Sequence, residues 1–341
     1  MFRKLFGIIS AALMIALAFP VSAQNAQNLP LRGINLAGAG FAGQVLPGRN
    51  GTNYFFPRPE DVQIYAAFGM KVLRLSFLWE RMQPVLYMPF DPKHLELADK
   101  VVKEAAAHKI YIIIDLHNSG SYRKQLIGSD KLSVAAFNDF WTRMAEHYKD
   151  EPYVVFGLMN EPHKHSASEW AEIAQEGVNA IRKTGAKQII LVPGTNWSAA
   201  HKWLNRDGWI SNGDALKKIK DPENNIVFEA HIYFDKDTSG THPDCVSETI
   251  GAERLVSFTG WLRQNGFRGF LGEFGSSQDP VCLAALKNTL SYMDQNKDVW
   301  WGWTIWAASP AFGNYYFNIY PPNPEKLPQA KIIKEFIDAA R

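Results

Sequence analysis

The sequence predicts a single-domain (β/α)8 barrel, and two observations support this prediction. Eight short apolar runs alternate with longer amphipathic stretches along residues 24–341. The runs begin roughly 30 to 43 residues apart, the length of a strand, a helix and two loops, so the strands are expected to pair in parallel through right-handed crossovers. Eight such units close naturally into a barrel. An open doubly wound sheet is the alternative, but no glycine-rich phosphate-binding loop follows any of the runs.

Each predicted strand is a short run of apolar and β-branched residues that ends at a polar or turn residue. The eight strands are Gly33–Leu36, Val72–Ser76, Ile110–His117, Tyr153–Asn160, Gln188–Pro193, Ile226–Tyr233, Gly269–Glu273 and Trp300–Trp306. Helical periodicity is found at Glu60–Phe68, His94–His108, Ser133–Tyr148, Ser168–Lys183, Ala252–Asn265, Cys282–Asp294 and Pro328–Ala340. The fifth connection, Trp197–Pro222, contains only short helical pieces, and Ala37–Pro59 is predicted to be a rim loop.

The amino terminus has the pattern of a secretory signal peptide. Arg3 and Lys4 precede an apolar run that ends at Phe19, and small residues follow up to Ala23. The apolar run is shorter than the ~20 residues of a membrane-spanning helix, which disfavours the alternative of a retained anchor. We therefore predict cleavage after Ala23, export to the periplasm or the extracellular space, and a catalytic domain over residues 24–341.

The charge balance gives no indication of a polyanionic partner. Without the signal peptide, 34 basic side chains face 34 acidic ones, so nothing predicts nucleic-acid binding. We expect a monomer without stable membrane association. The chain contains eleven tryptophans, and aromatic rings of this number serve a large core or flat apolar faces for a ligand.

Cys245 and Cys282 are the only cysteines. In an exported protein an even number of cysteines favours a disulfide over the alternative of two separate buried thiols. Neither cysteine has neighbours that would activate it as a nucleophile.

Polar residues collect where the predicted strands end, which is where barrels of this kind place their chemistry. The set comprises Asn35, Arg74, His117, Asn118, Asn160, Glu161, His231, Tyr233, Glu273 and Trp306. Strand alternation places Glu229 on the same face of its strand as His231, and Asp115 on the same face of its strand as His117. Asp115 and Glu229 come earlier in their strands and are expected to lie deeper in the barrel. It also places Glu273 on the same face as Leu271, and we expect these polar side chains to point into the barrel.

Two glutamates at the same end of one barrel predict cleavage of a glycosidic bond. A retaining hydrolase needs one carboxylic acid to protonate the leaving oxygen and one carboxylate ~5 to 5.5 Å away to attack the anomeric carbon. Glu161 and Glu273 are the candidates. Arg74 and Tyr233 are suited to keeping Glu273 ionised by charge and hydrogen bonding, and Asn160 is suited to binding the sugar hydroxyl beside the reacting carbon.

The remaining candidates for a functional role are two histidines and two tryptophans. His163 and His165 invite a metal interpretation, but no third ligand has convincing spacing, so a solvated loop is preferred and neither a metal nor a cofactor is expected. Trp306 is predicted to form a floor on which a sugar ring stacks, and Trp197 is predicted to extend that floor.

Seven short motifs stand at the strand ends: RGINLAGAGF at the first strand, LRLSF, IDLHN, GLMNEP, EAHIYF, GFLGEFG and WTIWAASP. With these motifs the chain resembles the endoglucanases of glycoside hydrolase family 5. Within the family, the stretch CVSETIG at Cys245–Gly251 resembles subfamily 5 of secreted bacterial and fungal endo-β-1,4-glucanases. The chain departs from some relatives at Ile305, where they carry a second tryptophan, and we expect no appended carbohydrate-binding module.

The resemblance implies an endo-β-1,4-glucanase that hydrolyses internal bonds of cellulose or related β-glucans by double displacement. It implies Glu161 as acid/base, Glu273 as nucleophile and a disulfide between the two cysteines. It also implies a surrounding site made of Arg74, His117, Asn160, His231, Tyr233 and Trp306. The alternatives are a β-mannanase, xyloglucanase or mixed-linkage glucanase, a barrel that binds glucan without cleaving it and, more distantly, a metal-dependent deacetylase.

Overall fold

The computed structural model of the protein describes residues 30–208 and 210–339. The predicted signal peptide lies outside these residues. Within the described part of the chain, every helix is too short or too polar to cross a membrane.

Eight parallel strands form a closed barrel in sequence order. They are β1 (Leu31–Leu36), β2 (Val72–Phe77), β3 (Tyr111–Leu116), β4 (Val154–Gly157), β5 (Ile190–Pro193), β6 (Ile226–His231), β7 (Gly269–Glu273) and β8 (Trp300–Ala308). β8 pairs with β1 and closes the sheet. The predicted (β/α)8 barrel is confirmed, because each predicted strand overlaps an observed one.

The helices pack outside the barrel. They are α1 (Pro59–Phe68), α2 (Trp79–Met82), α3 (Pro92–Ala107), α4 (Val134–Tyr148), α5 (Ala167–Lys183), α6 (Asn212–Leu216), α7 (Ile250–Asn265), α8 (Pro280–Gln295) and α9 (Pro328–Ala339). Among its described residues, the fifth connection has helix only in a short 3-10 turn, Ala200–Lys202, and in the five residues of α6, in line with its weak helical pattern. Asp91 and Asp279 cap α3 and α8 by accepting hydrogen bonds from backbone N–H groups of the first turn, and a proline follows each cap.

The barrel interior is apolar at one end and charged at the other. Its apolar layer consists of Leu31, Val72, Ile113, Val155, Leu191, Val227 and Phe270. Two residues further along their strands, Arg74, Asp115 and Glu229 are fully buried. Because side chains alternate along a strand, these three point into the same interior. The apolar layer therefore forms the base beneath a charged layer at the carboxyl ends of the strands.

On β7 the simple alternation is wrong. Leu271 packs in the core between the sheet and the helices, whereas Phe270 belongs to the barrel interior. β7 carries one extra residue relative to β6, Gly272, before Glu273. Such a bulge re-aims the side chain that follows it, which brings Glu273 back to the interior. A Cβ on Gly272 would lie 2.0 Å from Oε1 of Glu229, so only glycine fits here.

The predicted disulfide between Cys245 and Cys282 is confirmed. Their Sγ atoms are bonded, and their Cα atoms lie 5.3 Å apart. The bond ties the loop that follows β6 to the first turn of α8. It therefore fixes a rim loop whose beginning carries Tyr233.

Candidate active site

Arg74 lies at the centre of the charged layer and is fully buried. Its guanidinium nitrogens lie 2.7 to 3.1 Å from side-chain oxygens of Asn35, Asp115, Asn160, Glu229 and Glu273. Burial lowers the pKa of Arg74, but the carboxylates of Asp115, Glu229 and Glu273 raise it well above its usual range. The charged guanidinium of Arg74 thus contacts three carboxylates and two amides and holds them in position.

Both carboxylate oxygens of Glu273 accept hydrogen bonds. Arg74 donates to Oε1 at 3.0 Å, and the Tyr233 hydroxyl donates to Oε2 at 2.7 Å. Burial and the charge of Glu273 raise the pKa of Tyr233 well above its usual value, so its hydroxyl remains a donor. The Tyr233 ring stacks on Phe317 with a centroid distance of 5.9 Å. The carboxylate of Glu273 is therefore fixed on two sides.

Glu161 is joined to the charged layer through His231. Nδ1 of His231 lies 2.9 Å from Oε1 of Glu161, and Nε2 lies 3.2 Å from Oε1 of Glu229. Burial lowers the pKa of His231, but Glu273, Glu161 and Glu229 raise it to about 10. At neutral pH His231 is thus a cation that donates from both nitrogens. The Glu161 side chain is 21% exposed and opens on the cleft.

Glu161 and Glu273 lie close together. One carboxylate oxygen from each and a ring nitrogen of His231 all lie within 4.8 Å of one another. Retaining glycosidases place their two carboxyl groups ~5 to 5.5 Å apart, and inverting enzymes place them ~6.5 to 9.5 Å apart. The separation therefore matches retention of configuration.

The chain turns sharply after β4, at the residues that carry Asn160 and Glu161. The backbone N–H of Asn160 donates to the carbonyl of Leu116 at 2.8 Å. Glu161 has a φ of 46°, in the left-handed region that is sparsely populated by residues other than glycine. Oδ1 of Asn160 accepts from Arg74 at 2.7 Å, which orients the amide. No described residue accepts from Nδ2, so Nδ2 can donate to a ligand.

The opposite side of the site is aromatic. The rings of His117 and Trp306 stack at 6.0 Å and 14°, and Nδ1 of His117 lies 2.8 Å from Oδ2 of Asp115. Trp306 is partly exposed and contacts Phe312 edge-on. These rings form a flat aromatic face on this side of the site.

Asn118 lies beside this site, and both polar atoms of its side chain form hydrogen bonds within the protein. Oδ1 accepts from the backbone N–H of Trp79 at 2.7 Å, and Nδ2 donates to Glu80 at 2.7 Å. The residue is 8% exposed. Its geometry is that of a residue holding the rim loop that follows β2.

The two histidines that follow Glu161 do not form the solvated loop that the sequence predicts. His165 is 5% exposed, and its Nε2 donates to the carbonyl of Ile127 at 2.8 Å. The ring of His163 is partly buried and stacks on Trp197 at 4.7 Å and 2°. The neighbour of His163 comes from the loop after β5, which no local sequence pattern reveals.

Glu161 and Trp197 line a cleft of about 380 Å³ together with Lys202, His231 and Tyr233. A larger cavity of about 920 Å³ lies on the barrel flank against α5, lined mainly by aliphatic side chains and glutamates of that helix. The smaller cleft contains the convergent charged groups, so chemistry rather than volume identifies the site.

Two groups of side chains in the described residues are compact enough for a metal ion. The first is Glu161, His231 and Glu273, and the second is Asp235, Asp237 and His242 in the loop after β6. In the first group both ring nitrogens of His231 already lie within hydrogen-bonding distance of carboxylate oxygens of Glu161 and Glu229. In the second, the buried Asp235 already accepts from Ser239 and Gly240.

A closed parallel barrel with two glutamates at this separation at the carboxyl ends of its strands defines a glycoside hydrolase. Residues 24–309 match the family model described as cellulase (glycosyl hydrolase family 5), and the chain belongs to this family.

The relatives of the chain carry endoglucanase names. It is 37% identical over 318 residues to the probable endo-beta-1,4-glucanase B of Neosartorya fischeri, covering 93% of each chain. The structure of XacCel5A in complex with cellopentaose is 46% identical with a TM-score of 0.86, covering 90% of this chain and 99% of that one. Pseudomonas stutzeri endoglucanase Cel5A in complex with cellobiose is 35% identical with a TM-score of 0.83, covering 90% and 92%.

Proposed function

We propose that the protein is a retaining endo-β-1,4-glucanase whose substrate is a β-1,4-linked glucan chain. The observation that carries the proposal is the pair Glu161 and Glu273, with carboxylate oxygens within 4.8 Å of each other. The names of the relatives and the cello-oligosaccharides bound to two structural neighbours support glucan as the substrate.

In the first step Glu273 attacks the anomeric carbon and forms a glycosyl-enzyme ester, while Glu161 gives its proton to the leaving oxygen. The hydrogen bonds from Arg74 and Tyr233 hold the Glu273 carboxylate in position for this attack. Glu161 suits the acid role because its side chain is partly exposed to the cleft where the leaving group departs.

In the second step Glu161 takes a proton from water, which attacks the same carbon and releases the sugar. The cationic His231 stabilises the carboxylate of Glu161 at the start of this step and that of Glu273 as the ester bond breaks. Nδ2 of Asn160 donates to the sugar hydroxyl next to the reacting carbon, an interaction that strengthens as positive charge develops on the ring. Trp306 provides the floor for that ring.

The roles of the two glutamates are tested by Glu161→Gln and Glu273→Gln, assayed on carboxymethyl-cellulose. Each amide keeps the shape of the side chain but removes the proton donor or the nucleophile, so we expect each rate to fall by at least about 10³-fold. On an aryl cellobioside, whose phenolate leaves without protonation, Glu161→Gln should still form the glycosyl-enzyme. Near-wild-type turnover of cellulose by either variant would contradict the assignment.

Substrate specificity is tested by digesting carboxymethyl-cellulose, mannan, xyloglucan and barley glucan in parallel. The names of the relatives lead us to expect the highest rate on carboxymethyl-cellulose. A higher rate on mannan would move the assignment to a mannanase, and binding without release of reducing ends would favour a non-catalytic barrel. We expect activity to be insensitive to a chelator, because the proposed steps use only side chains of the chain.

We infer that the protein acts outside the cytoplasm as a monomer. The disulfide supports an oxidising compartment, in agreement with the signal peptide predicted at residues 1–23. Amino-terminal sequencing of the exported protein should read from Gln24. Light scattering of the purified protein should give the mass of one chain.

A further inference from the structure

His163 and Trp197 form a stacked pair beside Glu161. Their ring planes differ by 2° and their centroids are 4.7 Å apart. The two residues come from different loops, one after β4 and one after β5. Trp197 is 49% exposed, so His163 covers one face of the indole and leaves the remainder open. Large apolar side chains are normally buried, so the exposed indole beside the proposed acid Glu161 is a candidate surface for a ligand.

The backbone beneath Trp197 is strained and firmly held. Asn196, Trp197 and Ser198 have consecutive φ values of 58°, 57° and 54°, all in the left-handed region. The N–H of Trp197 donates to the carbonyl of Pro162 at 3.3 Å, and the hydroxyl of Ser198 donates to the carbonyl of Glu229. The turn therefore fixes the backbone position from which the Trp197 indole projects. The orientation of the ring then depends on its packing neighbour, His163.

His163 is itself anchored to the acid/base residue. Its Nδ1 lies 3.1 Å from the carbonyl oxygen of Glu161, and since a carbonyl can only accept, the proton is on Nδ1. The imidazole is thus fixed at one edge by the backbone that carries Glu161 and presents its face to Trp197. Because His163 contacts both, it links the position of the Trp197 indole to the position of Glu161.

The location of the pair indicates which part of a substrate it meets. The cleft of about 380 Å³ is lined by Glu161 and Trp197 but by neither Glu273 nor Trp306. In the proposed reaction Glu161 protonates the oxygen of the leaving group, so the sugar that departs occupies this side of Glu161. Lys202 and Asp237 line the same cleft and offer polar groups at its edge.

We propose that His163 is a positioning residue that braces Trp197 as the stacking platform for the leaving-group sugars. The proposal rests on the proposed glucanase function. It predicts that His163 matters only when the leaving group is a sugar. The competing role, in which His163 acts by orienting Glu161 through the carbonyl hydrogen bond, predicts an effect on every substrate.

Two substitutions separate these roles. His163→Phe keeps a ring for stacking and loses the hydrogen bond, whereas His163→Asn keeps a donor near the Nδ1 position and loses the ring. The kcat/KM of each variant is measured on cellopentaose and on an aryl cellobioside, whose leaving group carries no sugar. For His163→Asn we expect a loss of about 3- to 10-fold on cellopentaose, the range given by one aromatic pair, and little change on the aryl cellobioside. His163→Phe should behave like wild type on both.

Trp197→Ala supplies an independent check, because the indole is exposed and its removal leaves no buried cavity. The double variant with His163→Asn should lose no more activity on cellopentaose than Trp197→Ala alone, as expected for residues that act as one unit. Equal losses on both substrates, or retention by His163→Asn with loss in His163→Phe, would overturn the proposal. Failure of the wild-type protein to cleave either substrate would instead overturn the proposed function.

Discussion

Tyr233→Phe tests how the protein stabilises the proposed nucleophile. The substitution removes one hydroxyl, which donates to Oε2 of Glu273 at 2.7 Å. In the second step the bond between Glu273 and the sugar breaks and negative charge returns to the carboxylate. A donor aimed at that charge lowers the barrier of this step, so its loss should slow breakdown of the glycosyl-enzyme.

The magnitude follows from the kind of hydrogen bond. A buried hydrogen bond to a charged group contributes about 1.5 to 3 kcal/mol, which corresponds to a fall in rate of about 10- to 150-fold. The ring that remains still stacks on Phe317 at 5.9 Å, so we expect only a small change in the free energy of unfolding. The effect should therefore appear in catalysis rather than in stability.

The assay is steady-state and rapid-quench kinetics on an activated aryl cellobioside, for which breakdown of the intermediate limits the rate. Tyr233→Phe should lower both kcat and KM and should show a burst of released phenol, because the intermediate accumulates.

Tyr65→Phe is the matched control, since Tyr65 is fully buried and its hydroxyl donates to the carbonyl of Ile319 at 2.6 Å. It should lower the Tm and leave kcat unchanged. Wild-type kcat in Tyr233→Phe, or an equal loss of activity in both variants, would refute this role of Tyr233.

Three further predictions concern stability and packing. The pKa of His231 is raised from 6.5 to about 10. The stability that the protonated imidazole contributes is therefore complete below pH 6.5 and is lost as the pH rises towards 10. The Tm of the wild type should accordingly fall more steeply between pH 7 and 10 than the Tm of His231→Asn. Gly272→Ala should abolish most activity and lower the Tm, whereas Gly260→Ala, on an open helix surface, should be neutral or slightly stabilising. Replacing Cys245 and Cys282 by serine should cost about 3 to 4 kcal/mol of unfolding free energy, read from denaturant curves, with kcat unchanged.

The alternation of strands and helices was predictable from the sequence because burial on both faces makes parallel strands apolar along their length. Parallel strands in one barrel also bring their carboxyl ends to the same rim. Glu161 and Glu273 could therefore be placed at one site although they are far apart in sequence. Arg74 followed by the same reasoning, since an arginine inside an apolar strand requires buried partners.

Details that depend on contacts between distant loops were not predictable. Asn118 ends a strand like the other polar residues, but its amide binds Trp79 and Glu80, and nothing local distinguishes it. The stacking partner of His163 comes from another strand's loop. Both cases depend on how loops of uneven length meet above the barrel.

The sequence by itself determined the barrel, the rim that carries the chemistry and the two carboxylates on it, because these depend on residue type and on period along the strands. The tertiary structure alone decided how Glu273 reaches the site. Strict alternation puts its side chain on the same face as Leu271, away from Arg74, and the extra residue Gly272 reverses that direction. A bulge depends on the register between neighbouring strands, which no single strand encodes.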